Sequence, residues 1–190
     1  MSRSRGRRLG FLLLLALWLG QLPASWASAQ EPPAEYRVKA AFLQRFLMFI
    51  SWPEGDAGPA DRPIVVGVVG ETPLAAALRK LQDASGRGPQ LVVREIDSPD
   101  ELAATCDVAF IARRIGHLAR TDHPRWKNLR WLENRPILTV GEDEDFLAAG
   151  GVIDFFIESD RVRFAISSGA AKRAGLTVRA DLMRLAKVVE

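Results

Sequence analysis

Two histidines, one cysteine, a run of four acids and a pair of adjacent arginines are the side chains here whose types could carry chemistry. His117 and His123 stand six apart, with no third histidine or thiolate nearby. Two metal ligands on one helical face need a spacing of three or four, so no metal site is expected. No G-x-S-x-G elbow occurs. Gly67-Val68-Val69-Gly70 lacks both the third glycine of a dinucleotide fingerprint and the lysine of a phosphate loop. The segment Val108 to Ala112 runs into Arg113 and offers no aspartate for phosphorylation. Catalytic residues and a cofactor are therefore not expected, and the chain reads as a non-enzyme. Glu142-Asp143-Glu144-Asp145 lacks the alternation and glycine of a calcium loop. Before Phe146-Leu147-Ala148 it should favour the positive end of a short helix. Cys106 stands alone, which excludes an intramolecular disulfide, and it is expected as a buried small hydrophobe before a strand.

Two binding possibilities remain. Open α/β sheets hold small ligands at the carboxyl ends of their strands. There Thr72, at a helix start with unpaired N–H groups, and Arg113-Arg114 could meet an anion. Protein partners are gripped by a few aromatic or arginine anchors, for which Trp52, Phe146 and Phe155 are the candidates.

The elements that would position these residues follow from periodicity. Glu35 to Ile50 repeats apolar residues at Val38, Ala41, Phe42, Leu43, Phe46, Phe49 and Ile50, one helical face that must bury against a sheet. Trp52-Pro53 ends it. Ile64 to Val69 is a continuous apolar run, as in a strand covered on both faces. Thr72-Pro73 opens a helix over Leu74 to Leu81. Leu91 to Ile96 is a second strand, Ser98-Pro99-Asp100-Glu101 a capping box, and Val108 to Ala112 a third strand. Arg125 to Asn134 reads as a helix with Trp126, Leu129 and Leu132 inward, and Ile137 to Val140 as a fourth strand. Val152 to Ile157 and Val162 to Ile166, four residues apart, form an antiparallel hairpin. Helices over Ala170 to Ala174, with Gly175 at C′, and over Asp181 to Val189 close the chain. The whole predicts a three-layer α/β domain with a mixed, mostly parallel sheet flanked by helices and a C-terminal hairpin.

The N-terminus reads as an export signal. Arg3, Arg5, Arg7 and Arg8 precede an uncharged apolar run from Leu9 to Leu19, and Ala27-Ser28-Ala29 places alanine at the −3 and −1 positions of a cleavage site. The run is too short for the ~20 residues of a spanning helix. Residues 1–29 are thus expected as a secretory signal peptide cleaved after Ala29, and 30–190 as one domain working in the periplasm. Four of the 26 basic residues and no acid lie in the signal, leaving 22 basic against 23 acidic side chains. The overall charge of +3 therefore gives no reason to expect a nucleic-acid partner.

The stretch V-K-A-A-F-L-Q-R-F-L-M-F-I-S-W-P (Val38 to Pro53) resembles the opening signature of the YfiR-like family of periplasmic proteins. Further matches follow in order: Ile64 to Gly70, Cys106 to Ile111, Pro136 to Val140, Phe146 with Gly150 to Phe155, Arg163 to Ile166, and Ala170 to Leu176 through Leu182 to Ala186. The resemblance implies a non-enzymatic α/β regulator, in its best-known form a periplasmic repressor that binds the periplasmic part of an inner-membrane diguanylate cyclase and lowers cyclic-di-GMP output. It also implies homodimers, and in other members a sensory module for a different membrane signalling protein such as a histidine kinase. The alternative that stays beside the repressor is capture of a small ligand near Thr72 and Arg113. Where the family has Ile-Asn after its sixth strand this chain has Ile166-Ser167, and where it has Ser-Ser before the last helix it has Arg179-Ala180.

Overall fold

A continuous apolar run of strand length needs cover on both faces, and the computed structural model, which describes residues 31–53, 62–85, 88–112 and 124–189, shows how each run obtains it. In chain order the elements are α1 (Ala34–Phe46), β1 (Ile50–Ser51), β2 (Ile64–Val69), α2 (Leu74–Ser85), β3 (Leu91–Ile96), α3 (Pro99–Thr105) and β4 (Val108–Ile111). Then come α4 (Pro124–Lys127), a 3-10 turn (Leu129–Leu132), β5 (Leu138–Gly141), β6 (Ile153–Glu158), β7 (Arg161–Ser167), α5 (Ser168–Arg173), β8 (Thr177–Val178), α6 (Ala180–Met183) and β9 (Lys187–Val189). The main sheet has the order β3-β2-β4-β5-β6-β7-β9. Pairing is parallel from β3 through β6 and antiparallel between β6 and β7, and β9 runs parallel to β7. This is the mixed, mostly parallel α/β sheet with a hairpin that the sequence predicts.

The two-residue period of a strand divides its side chains between two cores. Ile64, Val66, Val68, Val108, Phe110, Leu138 and Val140 face a core closed by α1 and α2. Val69, Ala109, Ile111 and Ile137 face a second core with Leu102 of α3, Trp126, Leu129, Leu132 and Phe146. In the first, Phe42, Phe46, Phe155 and Phe164 form a stack with neighbouring centroids 4.7–6.3 Å apart. Such pairs add roughly 0.5–1.5 kcal/mol each beyond their burial. In the second, the Phe146 ring lies between Gly141 and Gly151, where an added Cβ would meet ring carbons at 2.3 Å and 2.1 Å. Both positions must therefore be glycine.

Local signals fix several boundaries. Ser98 caps α3, its Oγ accepting from Glu101 N at 3.2 Å. Gly175, with φ of 73°, ends α5. Ser167 caps α5 by accepting from Ala170 N at 3.2 Å. At the other end of the sheet Asp107 accepts from Arg62 Nη1 and Nη2 at 2.8 and 2.6 Å and from Val65 N at 2.8 Å, clipping the entries of β2 and β4 together.

Three expectations are corrected. α1 stops at Phe46, a turn before Ile50, because Ile50 and Ser51 pair antiparallel with Val178 and Thr177. The helix expected over Arg125 to Asn134 is broken at Asn128, whose extended backbone (φ −144°, ψ 107°) lets its side chain cap the 3-10 turn. Asp181 to Val189 is not one helix: α6 ends at Met183, and Lys187–Val189 form the edge strand β9 on β7. The open edge of β7 there takes up β-branched Val188 and Val189.

Candidate functional site

The inward face of α1 matches only part of its apolar spacing: Leu43 and Phe46 turn inward as expected, but Val38 and Ala41 do not. Lys39, Ala40, Leu43 and Phe46 are buried, whereas Val38 is 43% exposed and Ala41 is exposed. A lysine can enter a core only if its charge is met. Lys39 Nζ lies 2.5 Å from Glu142 Oε2 and 2.5 Å from Glu35 Oε1, and the Lys39 and Glu142 side chains are each 4% exposed. The Tyr36 hydroxyl donates to Glu142 Oε1 at 3.3 Å and is also hydrogen-bonded to Thr72. Lys39 Nζ sits 4.8 Å from the Tyr36 ring centroid. Burial alone would pull the Lys39 ammonium down, but hydrogen bonds to Glu142 and Glu35, backed by their charges, leave it above its ordinary value. Burial, then the Glu142 charge, pushes the Tyr36 phenol up.

This cluster stands at the carboxyl ends of the parallel strands, since Thr72 follows β2 and Glu142 follows β5. It is where the fold ordinarily receives a ligand, and the chain supplies its own anion there in the Glu142 carboxylate. Thr72 belongs to the cluster; its Oγ1 accepts from Leu74 N at 3.3 Å. Arg113 and Arg114, with His117 and His123, lie outside the described residues. The four acids do not act together: Glu142 is buried against Lys39, Glu144 and Asp145 are exposed, and the segment after them forms turns where a helix was expected. Beside them a cleft lined by Ile111, Trp126, Asp143 and Phe146 has a volume of about 40 Å³, room for water or a small ion. Among the described residues no group of three or more His, Cys, Asp or Glu could hold a metal ion. Cys106 is buried at the end of α3, and burial pushes its thiol up.

The three aromatic candidates separate. Phe155 is 1% exposed within the stack, Phe146 is buried between its glycines, and Trp52 is half-buried. Phe42, another half-buried aromatic, borders an open surface. With Ala34 and Val38 it forms one wall of a groove whose other wall is Ile157 and Val162 of the β6–β7 hairpin. A turn with Ser159 and Asp160 both at positive φ (49° and 57°) lifts that hairpin beside α1. Sequence reasoning passed over Lys39 and read Glu142 only as one of four acids before a short helix, although a lysine three after Tyr36 and four before Leu43 marks the true inward stripe.

A mixed, mostly parallel sheet, strand ends occupied by the chain's own ion pair and an open groove along the first helix characterise this α/β domain. The chain belongs to the YfiR/HmsC-like family, whose model matches residues 36–187. No match is found among curated proteins. A solved structure described as a conserved domain protein from Vibrio cholerae O1 biovar El Tor str. N16961 is similar over 84% of this chain and 60% of that one, at 12% identity and a TM-score of 0.49. The chain thus spans about three-fifths of that solved chain's length.

Proposed function

We propose that this protein is exported, loses residues 1–29 as a secretory signal, and acts through residues 30–190 as a non-enzymatic periplasmic regulator. In this reading it binds the periplasmic part of an inner-membrane diguanylate cyclase and lowers cyclic-di-GMP signalling. Membership of the YfiR/HmsC-like family over residues 36–187 is the observation that carries it. No helix among the described residues is long and apolar enough to cross a membrane.

The test is the cyclic-di-GMP level of the native bacterium with and without the gene, with complementation by the full chain and by a version lacking residues 1–29. A rise on deletion that only the exported chain reverses is the expected result. An unchanged level overturns the cyclase reading, and rescue by the version lacking residues 1–29 overturns the export reading.

A further inference from the structure

We propose that α2 closes the outer edge of the main sheet with two of its side chains, Gln82 and Arg79, and that this closure keeps β3 from pairing with the β3 of a second copy. The closure does not depend on which partner the domain regulates.

β3 stands at one end of the strand order, with β2 as its neighbour. Along a strand the backbone groups of successive residues point to opposite sides. Gln90 O accepts from Ile64 N at 2.8 Å and so faces β2. The N–H and C=O groups of Leu91, Val93 and Glu95 therefore point away from the sheet. A six-residue strand with such a row of outward groups is a template on which another strand assembles. β9, at the other end of the sheet, is three residues long and offers much less.

Gln82 stands in for the missing strand. A primary amide carries the same kinds of donor and acceptor as a peptide group. In the orientation that satisfies both of its atoms, Gln82 Oε1 accepts from Leu91 N at 2.8 Å and Nε2 donates to Leu91 O at 3.1 Å. Three positions earlier, on the same face of α2, Arg79 Nη2 donates to Val93 O at 3.4 Å and lies 3.9 Å from Glu95 Oε1. Both outward groups of Leu91 and the carbonyl of Val93 are thus taken.

The side chains of β3 would not prevent self-pairing by themselves. A second β3 laid antiparallel about Val93 sets Val93 against Val93, Leu91 against Glu95 and Val92 against Arg94. In that register the outward residues of the two strands face each other, and no like charges are opposed. Val92 is also 38% exposed, an apolar residue on the edge strand. What stands in the way is α2, because an incoming strand reaches Leu91 N and O only by displacing the Gln82 amide. Pairing of two copies then has to use another surface.

The experiment uses the exported, processed chain and the double variant Arg79→Ala, Gln82→Ala, in which alanine keeps both positions favourable for helix. Sedimentation velocity over a concentration series should show self-association at least about tenfold tighter in the double variant than in wild type, as the freed groups become ladder bonds. Adding Glu95→Pro should return it to the wild-type level. The Glu95 N–H points outward, so proline there removes a bond only to an incoming strand. Association through unfolded chains would not be reversed by that change.

Amide hydrogen exchange in dilute solution reads the closure without any pairing. The Leu91 amide should exchange about tenfold faster in Gln82→Ala than in wild type, while the Val92 amide, which faces β2, keeps its rate. Unchanged self-association in the double variant, association that Glu95→Pro leaves in place, or a Leu91 amide whose exchange ignores Gln82→Ala would overturn the proposal.

Discussion

The two faces of α1 obey opposite rules. Its inward face carries Lys39 and Tyr36, and their polar groups meet Glu142, Glu35 and Thr72. Its outward face carries Val38, Ala41 and Phe42 and leaves apolar surface open beside Ile157. Burying an unpaired charge costs several kcal/mol, whereas exposing a valine forgoes about 1.5–3 kcal/mol of burial. The fold satisfies the first demand and tolerates the second. The difference teaches that the buried polar knot sets the helix's rotation, and that the open stripe is what this rotation presents to the outside.

Removing the knot should have the largest effect. Glu142→Ala leaves Lys39 in the core with Glu35 alone, and should lower unfolding free energy by about 3 kcal/mol in urea titrations. Replacing both members, Lys39→Met with Glu142→Leu, should recover most of that loss. A single Glu142→Ala costing under about 0.5 kcal/mol, the range of ordinary surface changes, would break the comparison. On the other side of the sheet Gly151→Ala drives a Cβ to within 2.1 Å of the Phe146 ring and should cost about 2 kcal/mol. Adding Phe146→Leu should return part of it, a coupling that a double-mutant cycle measures. By contrast Val38→Glu, on the open face, should change the unfolding free energy by no more than about 0.5 kcal/mol. A large loss of stability there would show that the stripe is core after all.

The smallest effect sharpens the account of the inward face. Lys39 and Tyr36 are both held above their ordinary values, so the folded chain keeps these protons longer than the unfolded one. Their contribution is complete at neutral pH. It falls as pH climbs past about 10, where the unfolded groups titrate, toward the higher folded values. The urea midpoint should therefore drop as pH rises past about 10, and the drop should flatten in Lys39→Met, Glu142→Leu. An unchanged slope in that double variant would mean that other groups control the alkaline transition.

Much of the fold was legible where the signal is local. The run Ile64 to Val69, the Ser98 cap and Gly175 each act within a few residues, and β2, α3 and the end of α5 lie where those residues put them. The edge strand β9 was not legible, because Leu182, Leu185 and Val189 keep a helical period. Leu185 is nevertheless 76% exposed, while Val188 pairs with Ile166. The partnership of β1 with β8 was hidden in the same way, because Ser51 and its partner Thr177 stand 126 positions apart in the sequence.

For the site the division is sharper. Sequence alone determined that a helix precedes the first long strand, that parallel strands follow, and that the residues resemble one family from Val38 onward. It placed Thr72 at the carboxyl end of the first long strand. It did not fully determine which stripe of α1 turns inward: the apolar face it favoured held Leu43 and Phe46, which are buried, together with Val38 and Ala41, which are not. Tertiary structure decided that question, because the partner that makes a buried Lys39 tolerable is Glu142, 103 residues away. A helix's own sequence records how hydrophobic each face is, but the cost of burying a charge depends on what the rest of the chain brings to meet it.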